Sequence, residues 1–323
     1  MPKTWLITGA AGFVGGNLTE FILSKGESVI GLDNFSTGKR SNIERLAGLG
    51  GKNFRLIEGD IRDRAVLGKN LPGVDLVVHL AAQVSVQKSI SDPEETRSNN
   101  VDGFVNILEA AGEAGCETFI YASSCAIYGD NDNLPLSEED QPMPLSPYAE
   151  SKLRNEGDAE GRVAVFPDMT IAGLRFFNIF GPWQDFTSGY AAVIPKWIDL
   201  CLRGERPVCY GDGGATRDFC YVDNISNAIW TLASGSRPGS GSVFNLGTGK
   251  RTSLTELFRI IRQCLVERNV SGLAGELLFE PWPEGDILHS YSDISKIKEE
   301  FGVEASISLG EGIEKLISIE HGL

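Results

Sequence analysis

The sequence predicts an α/β protein built on a doubly wound parallel sheet, with a smaller, discontinuous C-terminal α/β lobe. Three observations carry this. Short β-rich apolar runs alternate with amphipathic stretches through the first half of the chain. A glycine-rich turn, Gly9-Ala10-Ala11-Gly12-Phe13-Val14-Gly15, directly follows the first of those runs. At 323 residues the chain approaches the size at which a single core divides in two. In order, TWLIT is the first strand, a helix begins near Gly12, and SVIGLD and FRLIEGD are the second and third strands. DLVVHLA is the fourth, a long helix runs from about Pro93 to Gly115, and TFIYAS and MTIAGLRFF follow. SVFNLG, from Ser242, returns to the same sheet as its last strand. The sheet unit then spans 1–180 plus 222–247. The remainder forms the second lobe: 181–221, rich in Gly, Pro and aromatics, and 248–323, with the helical patterns TSLTELFRIIRQCLVE and ISLGEGIEKLISIE.

Forty-four acidic residues against 29 basic ones give a net charge of -15, which repels a phosphate backbone and argues against nucleic acid as a partner. A small anionic ligand is still admissible where a local site supplies positive charge. The six cysteines form no C-x-x-C pair, MPKTWLITGA already reads as a strand, and no apolar run reaches membrane-spanning length. The expectation is a reduced, cytoplasmic protein with no membrane partner. His79, His289 and His321 have no metal-ligand spacing, so no metal is expected.

Gly9, Gly12 and Gly15 let the backbone turn tightly, approach a pyrophosphate and pack the helix against the sheet, while the helix N-terminus offers free N–H groups to an anion. This is the Rossmann arrangement for a dinucleotide. The second strand ends in Asp33, where a carboxylate accepts from both ribose hydroxyls and repels a 2′-phosphate, so NAD is expected over NADP. Lys39 and Arg40 nearby are read as a solvated turn. Asp60, after the third strand, is placed to hold the adenine amino group.

The segment Ser146-Pro147-Tyr148-Ala149-Glu150-Ser151-Lys152 contains Y-x-x-x-K, and Pro147 is suited to start a helix, so Tyr148 and Lys152 share one helical face. A phenol with its ordinary pKa near 10 is a poor base at neutral pH; an ammonium and a nicotinamide cation beside it favour the phenolate. Together, TGAAGFVG, Asp33, HLAA, NNVDG, YASSCAIYG, SPYAESK, LRFFNIFGP and GDGGATRDFCYVDN resemble the extended short-chain dehydrogenases, the nucleotide-sugar epimerase/dehydratase family, over nearly the whole chain.

The resemblance implies a catalytic triad of Ser124, Tyr148 and Lys152. It also implies NAD contacts from Gly9, Gly12, Phe13, Val14, Gly15, Asp33, Asn34, Asp60 and Ile61, then from Ala81, Ala82, Asn100 and Phe176, with Tyr148 and Lys152 again. On the sugar-nucleotide side it implies Ser85, Ser124, Tyr148, Ala192, Val193, Asp286 and Ser290. There Arg217 serves as the diphosphate cation, Asn178 donates to a phosphate oxygen, and Tyr210 stacks on the uracil. The implied cycle is redox-neutral. Tyr148 takes the proton of the sugar's 4-hydroxyl while C4 gives up a hydride to NAD, Ser124 relays the hydrogen bond, and Lys152 holds the nicotinamide ribose and lowers the tyrosine pKa. The 4-ketosugar then turns about its diphosphate and takes the hydride back on its other face.

Departures from the family narrow the reaction. Dehydratases that the chain resembles carry an Asp-Glu pair after the serine, where Cys125-Ala126 stand here, leaving no acid and base to eliminate water. Trp183 occupies the place where members acting on a C6 carboxylate commonly carry arginine. SPYAESK, GYAAVIPKW, GDGGATRDFCYVDN, GKRTSLTELF and GDILHSYSDISK are similar to bacterial UDP-N-acetylhexosamine 4-epimerases of surface-polysaccharide pathways. Ser290, four beyond Asp286, leaves room for an N-acetyl group. Pro283 stands where the family usually has a second phosphate-binding arginine, a task open to Arg251 or Lys250. UDP-glucose or UDP-glucuronate 4-epimerisation, 2-epimerisation and an idle NAD-binding regulatory protein remain as alternatives, the last disfavoured by the intact triad. The family's homodimer pairs the long helix after Pro93 with the Tyr148 helix; here LRNEGDAEGR, with Gly157 and Gly161, makes a poor bundle face.

Overall fold

The computed structural model describes residues 2–185, 193–235, 239–282 and 287–323. Seven parallel strands form the central sheet, in the order Ser242–Leu246, Thr170–Phe176, Thr118–Ser124, Leu76–His79, Thr4–Thr8, Ser28–Asp33 and Phe54–Glu58. Thr4–Thr8 pairs with Ser28–Asp33 on one side and Leu76–His79 on the other, so the winding reverses at the first strand. A crevice at the carboxyl ends of the strands is the geometric consequence of that reversal. Thr8, Asp33, His79, Ser124 and Phe176 all lie at those ends.

The strands read as continuous apolar runs because both faces are covered. Trp5, Ile7, Val29, Val78, Ile120 and Leu174 point to one core, shared with Leu18 and Ile22 of the helix Phe13–Ser24 and with Ile225 and Ile229 of the helix Val222–Ser234. Their sequence neighbours Leu6, Ile30, Val77, Phe119 and Tyr121 point to the other, where Phe104, Ile107 and Leu108 of the helix Gly103–Glu113 pack. A third core, around Trp197, Phe219, Leu257, Ile261, Ile313 and Leu316, lies among the helices Val193–Leu202, Leu254–Glu267 and Leu309–His321. Short pairings tie this region together: Asn178–Phe180 with Phe219–Tyr221, and Thr216–Arg217 with Thr252–Ser253.

The helix expected from Pro93 to Gly115 is interrupted. An α-helical turn at Pro93–Arg97 passes into a π-helical segment, Ser98–Asp102, before Gly103–Glu113 resumes. The widened turn coincides with buried Asn100, whose amide nitrogen donates to the Gln83 carbonyl at 2.9 Å and to Ser151 Oγ at 3.1 Å. The six-residue helix Val86–Ser91, capped by Ser85, was not foreseen, since so short an element carries almost no periodicity.

The helix Pro147–Val163 begins as its sequence prescribes: Ser146 Oγ accepts from the Ala149 N–H at 3.2 Å, and Pro147 occupies the first turn. Gly157 and Gly161 stand in open space. Ion pairs Arg154–Asp158 and Arg162–Glu109, both at 3.0 Å, make its outer side polar. No helix among the described residues is long and apolar enough to cross a membrane.

Candidate active site

A cleft of about 350 Å³ opens at the carboxyl ends of the central strands. Gly9, Gly12, Phe13, Val14 and Gly15 form its floor. Gly9 has φ +72°, and a Cβ on it would lie 2.9 Å from the Ala81 nitrogen; one on Gly15 would lie 2.1 Å from the Gly9 oxygen. Any side chain at these two positions breaks the turn. The helix that follows has no side-chain cap and no acid in its first turn, so its N–H groups are left to an anionic ligand.

Asp33 is buried at the edge of this floor. Its carboxylate accepts from the Ala11 N–H at 2.9 Å and the Phe35 N–H at 2.8 Å, which fixes its orientation for a ribose. The nearby cations are committed elsewhere. Arg40 makes a two-pronged pair with Glu58, at 3.1 and 2.8 Å, and lies over the Phe35 ring, while Lys39 sits 3.7 Å from Asp185. A 2′-phosphate would thus meet a carboxylate and no cation held for it, and the residues fit NAD.

Asn34 and Ile61 line the cleft, and Asp60 stands beside them, bound by Asn34 at 2.9 Å and by Arg62 at 2.6 Å. The Arg62 guanidinium holds the Asp60 carboxyl well below the usual carboxylate range. Ala81 and Ala82 line the opposite wall, where Thr8 Oγ1 accepts from the Leu80 and Ala81 N–H groups, each at 3.1 Å. Asn100 buttresses that wall from behind through Gln83, and its neighbour Asn99 is the one that lines the cleft. Phe176 is half-buried at the end of its strand, against the first core. Gln83, Lys88 and Glu95 also line the cleft, the last two as an ion pair at 2.8 Å. Sequence reasoning missed these three. The one signal was the capping serine, Ser85, which lines the cleft as well.

The strand Thr118–Ser124 delivers Ser124, and the first turns of Pro147–Val163 deliver Tyr148 and Lys152. The hydroxyl of Ser124 lies close enough to that of Tyr148 to favour its ionised form. Lys152 is buried, donates from Nζ to the Ala122 carbonyl at 2.8 Å, and lies 6.0 Å from the centre of the Tyr148 ring. Burial pushes the ammonium down to about 8 and the phenol up to about 12. The expected depression of the tyrosine pKa is therefore not a property of the chain alone. Removal from water costs the phenolate more than the Ser124 hydroxyl returns, and a further cation, such as oxidised nicotinamide, has to supply the difference.

The segment that pairs His289 with Thr216 brings Ser290 to this cluster. Ser290 is buried and lies close to the side chain of Cys125, which itself neighbours Tyr148. Burial holds the Cys125 thiol up at about 11, so it is a packing group and no nucleophile. The guanidinium of Arg217 acts on the same thiol and donates to the Thr216 and Leu288 carbonyls at 2.9 and 3.1 Å. Asp218, fully buried, secures this corner, accepting from Thr248, Gly249 and Ser292. Arg251 reaches Thr216 Oγ1 at 3.2 Å, which sets a second guanidinium beside Arg217.

Asn178 is half-buried, its N–H bonded to the Asp218 carbonyl at 3.0 Å. Val193 opens the helix Val193–Leu202, and Tyr210 is exposed at the end of Val208–Tyr210. Ala192, Asp286 and Pro283 lie outside the described residues. Trp183 packs on Gly16, with Arg45 over its ring at 4.7 Å. His79 is a core residue, bonded to Thr8 at 2.8 Å and pushed down to about 3 by burial. Among the described residues no group of three or more His, Cys, Asp or Glu is placed to hold a metal.

Comparison with known proteins fits this geometry. A model of the NAD dependent epimerase/dehydratase family matches residues 5–247. The chain is 35% identical over 315 residues to a putative UDP-glucose 4-epimerase of Methanocaldococcus jannaschii, covering 97% of each. It is 34% identical to a solved UDP-N-acetylglucosamine 4-epimerase from Methanobrevibacter ruminantium, with a TM-score of 0.87 over 98% of this chain and 97% of that one. A UDP-glucuronic acid 4-epimerase from Bacillus cereus, solved with NAD, is 29% identical, with a TM-score of 0.86 over 97% of both chains.

Proposed function

The chain belongs to the NAD-dependent epimerase/dehydratase family, and on that premise we propose that it inverts C4 of a UDP-sugar, interconverting UDP-N-acetylglucosamine and UDP-N-acetylgalactosamine. The observation that carries the reaction is the placing of Ser124, Tyr148 and buried Lys152 together at the carboxyl ends of the strands that form the dinucleotide cleft. NAD, when bound, supplies reversible hydride acceptance. The N–H groups opening Phe13–Ser24 would hold its pyrophosphate, Asp33 its adenosine ribose, and Lys152 its nicotinamide ribose. Asn34, Asp60 and Ile61 would border its adenine.

Tyr148 Oη takes the proton of the 4-hydroxyl, and Ser124 keeps a hydrogen bond on that oxygen as it becomes a carbonyl. Arg217 and Asn178 anchor the diphosphate, so the sugar turns while the nucleotide stays. Tyr148 then returns its proton to the oxygen, now presented from the opposite face. The small pair Cys125 and Ser290, in contact beside the base, supports a sugar bearing an N-acetyl group. UDP-glucose and UDP-glucuronate are the second reading, favoured by the names of two of the relatives.

Incubation with each UDP-sugar separately, read by proton NMR, decides among them. UDP-N-acetylglucosamine is expected to give a mixture with its C4 epimer at the highest kcat/KM. Preference for UDP-glucose or UDP-glucuronate overturns the hexosamine reading, and no inversion of any of them overturns the reaction. For the assembly, a homodimer through the helices after Pro93 and Pro147 is expected, with a largely polar seam given the ion pairs on the second of them. A single-chain mass by light scattering at micromolar concentration rejects it.

A further inference from the structure

We propose that Glu156 is a positioning residue for Lys152: clamped by Arg175 and Ser123, it locks the lysine-bearing turn of the helix Pro147–Val163 to the sheet and sets a fixed negative charge one turn beyond the ammonium. The inference rests on the role given above to Lys152, toward the nicotinamide ribose and the phenolate.

Glu156 follows Lys152 by four residues, on the same helical face, and its side chain is 9% exposed. Arg175, at 7% exposure, grips both carboxylate oxygens, Nε at 3.0 Å and Nη2 at 2.8 Å. Ser123 Oγ, from the residue before Ser124, donates to the same carboxylate at 2.5 Å. Arg175 Nη1 also donates to Tyr128 Oη at 2.8 Å, and that hydroxyl donates to Asn245 Oδ1 at 2.6 Å. One carboxylate thus joins the catalytic helix to three adjacent strands, Thr118–Ser124, Thr170–Phe176 and Ser242–Leu246.

Stability is a poor reason for this arrangement. A buried ion pair loses in desolvation much of what it gains in attraction, and apolar side chains of similar volume serve as well. Charge at that position has a use, because Lys152 is itself buried and its ammonium is disfavoured there. The groups facing it can be named. On its own helix they are Tyr148 and Glu156, and from the strand Leu76–His79, neutral His79; beyond them Tyr121 and Arg175 face Glu156, Tyr128 faces Arg175, and Cys125 faces Tyr148. The helices packed outside carry charges already paired, Lys88–Glu95, Arg97–Glu94, Arg97–Asp102, Arg64–Glu113, and Glu109 with Arg64 and Arg162. Among these groups Glu156 is the carboxylate that favours the charged form of Lys152 against burial.

Glu156→Gln keeps the shape and removes the charge. In the NAD-loaded enzyme the titration of Lys152, followed by NMR of carbon-labelled lysine and assigned with Lys152→Arg, is expected to move to lower pH by about one unit. The alkaline limb of kcat/KM should move with it, because a charged Lys152 is needed. Arg175→Lys keeps the carboxylate and a cation but loses the two-pronged grip, and is expected to lower Tm while leaving the Lys152 titration in place. A Lys152 titration unmoved by Glu156→Gln overturns the proposal, as does an equal displacement by Arg175→Lys. Should Glu156→Gln not fold, the double variant Glu156→Gln/Arg175→Gln removes both buried charges; a shift in the same direction is expected there, and none overturns it. Wild-type enzyme that inverts no UDP-sugar defeats the reaction reading alone, since the lysine titration is read without turnover.

Discussion

Replacing Tyr148 by phenylalanine is expected to lower turnover by about 10²- to 10⁴-fold while NAD stays bound. The ring keeps its place in the first turn of Pro147–Val163, and Lys152 keeps its bond to Ala122; only the hydroxyl beside Ser124 is lost. Cofactor content is checked by mass analysis of the ligand released on denaturation, and turnover by NMR. Near-normal turnover sinks the assignment of the base. The pH dependence follows from the same geometry. Burial holds the phenol at about 12 in the chain alone, so activity that needs the phenolate rises with pH, through whatever lower value the cofactor's positive charge and Lys152 bring about. Lys152→Ala removes one of those cations, and the acid limb of kcat/KM is expected to move to higher pH. A stationary limb would count against an electrostatic role for Lys152.

Ser290→Tyr is expected to change the preference between UDP-N-acetylglucosamine and UDP-glucose by roughly ten- to a hundredfold, against the former. Ser290 is buried, its backbone N–H is bonded to the Thr216 carbonyl at 3.1 Å, and its hydroxyl meets Cys125. With the backbone held, a phenol at this position is far larger than the buried space Ser290 fills beside Cys125 and is expected to crowd the volume next to Tyr148. UDP-glucose, which lacks the N-acetyl group, tolerates that better. Both substrates have to be assayed on both proteins, since selectivity is a difference of two transition-state free energies. Equal losses on the two would mean that Ser290 only supports its loop.

Much of the site was legible because its signals are local. The glycines of 9–15 declare their turn by their spacing, Asp33 by ending a strand, and Tyr148 and Lys152 by lying four apart behind Ser146-Pro147, which starts their helix. Asn100 shows the limit of such reading. The resemblance places it at NAD, and no local pattern announces its three bonds, to Gln83 and Ser151, by which it also braces the wall.

By itself, then, the sequence determined the strands, the dinucleotide turn and the candidates for the catalytic groups, since strand period, glycine spacing and helix capping are properties of neighbours along the chain. Only the tertiary structure decided what those groups experience. The meeting of Ser290 with Cys125, the clamp of Arg175 and Ser123 on Glu156, and the phenol held at about 12 depend on segments far apart in sequence. Burial and charge pairing are sums over whatever the fold brings within a few ångströms, and no local pattern encodes that sum.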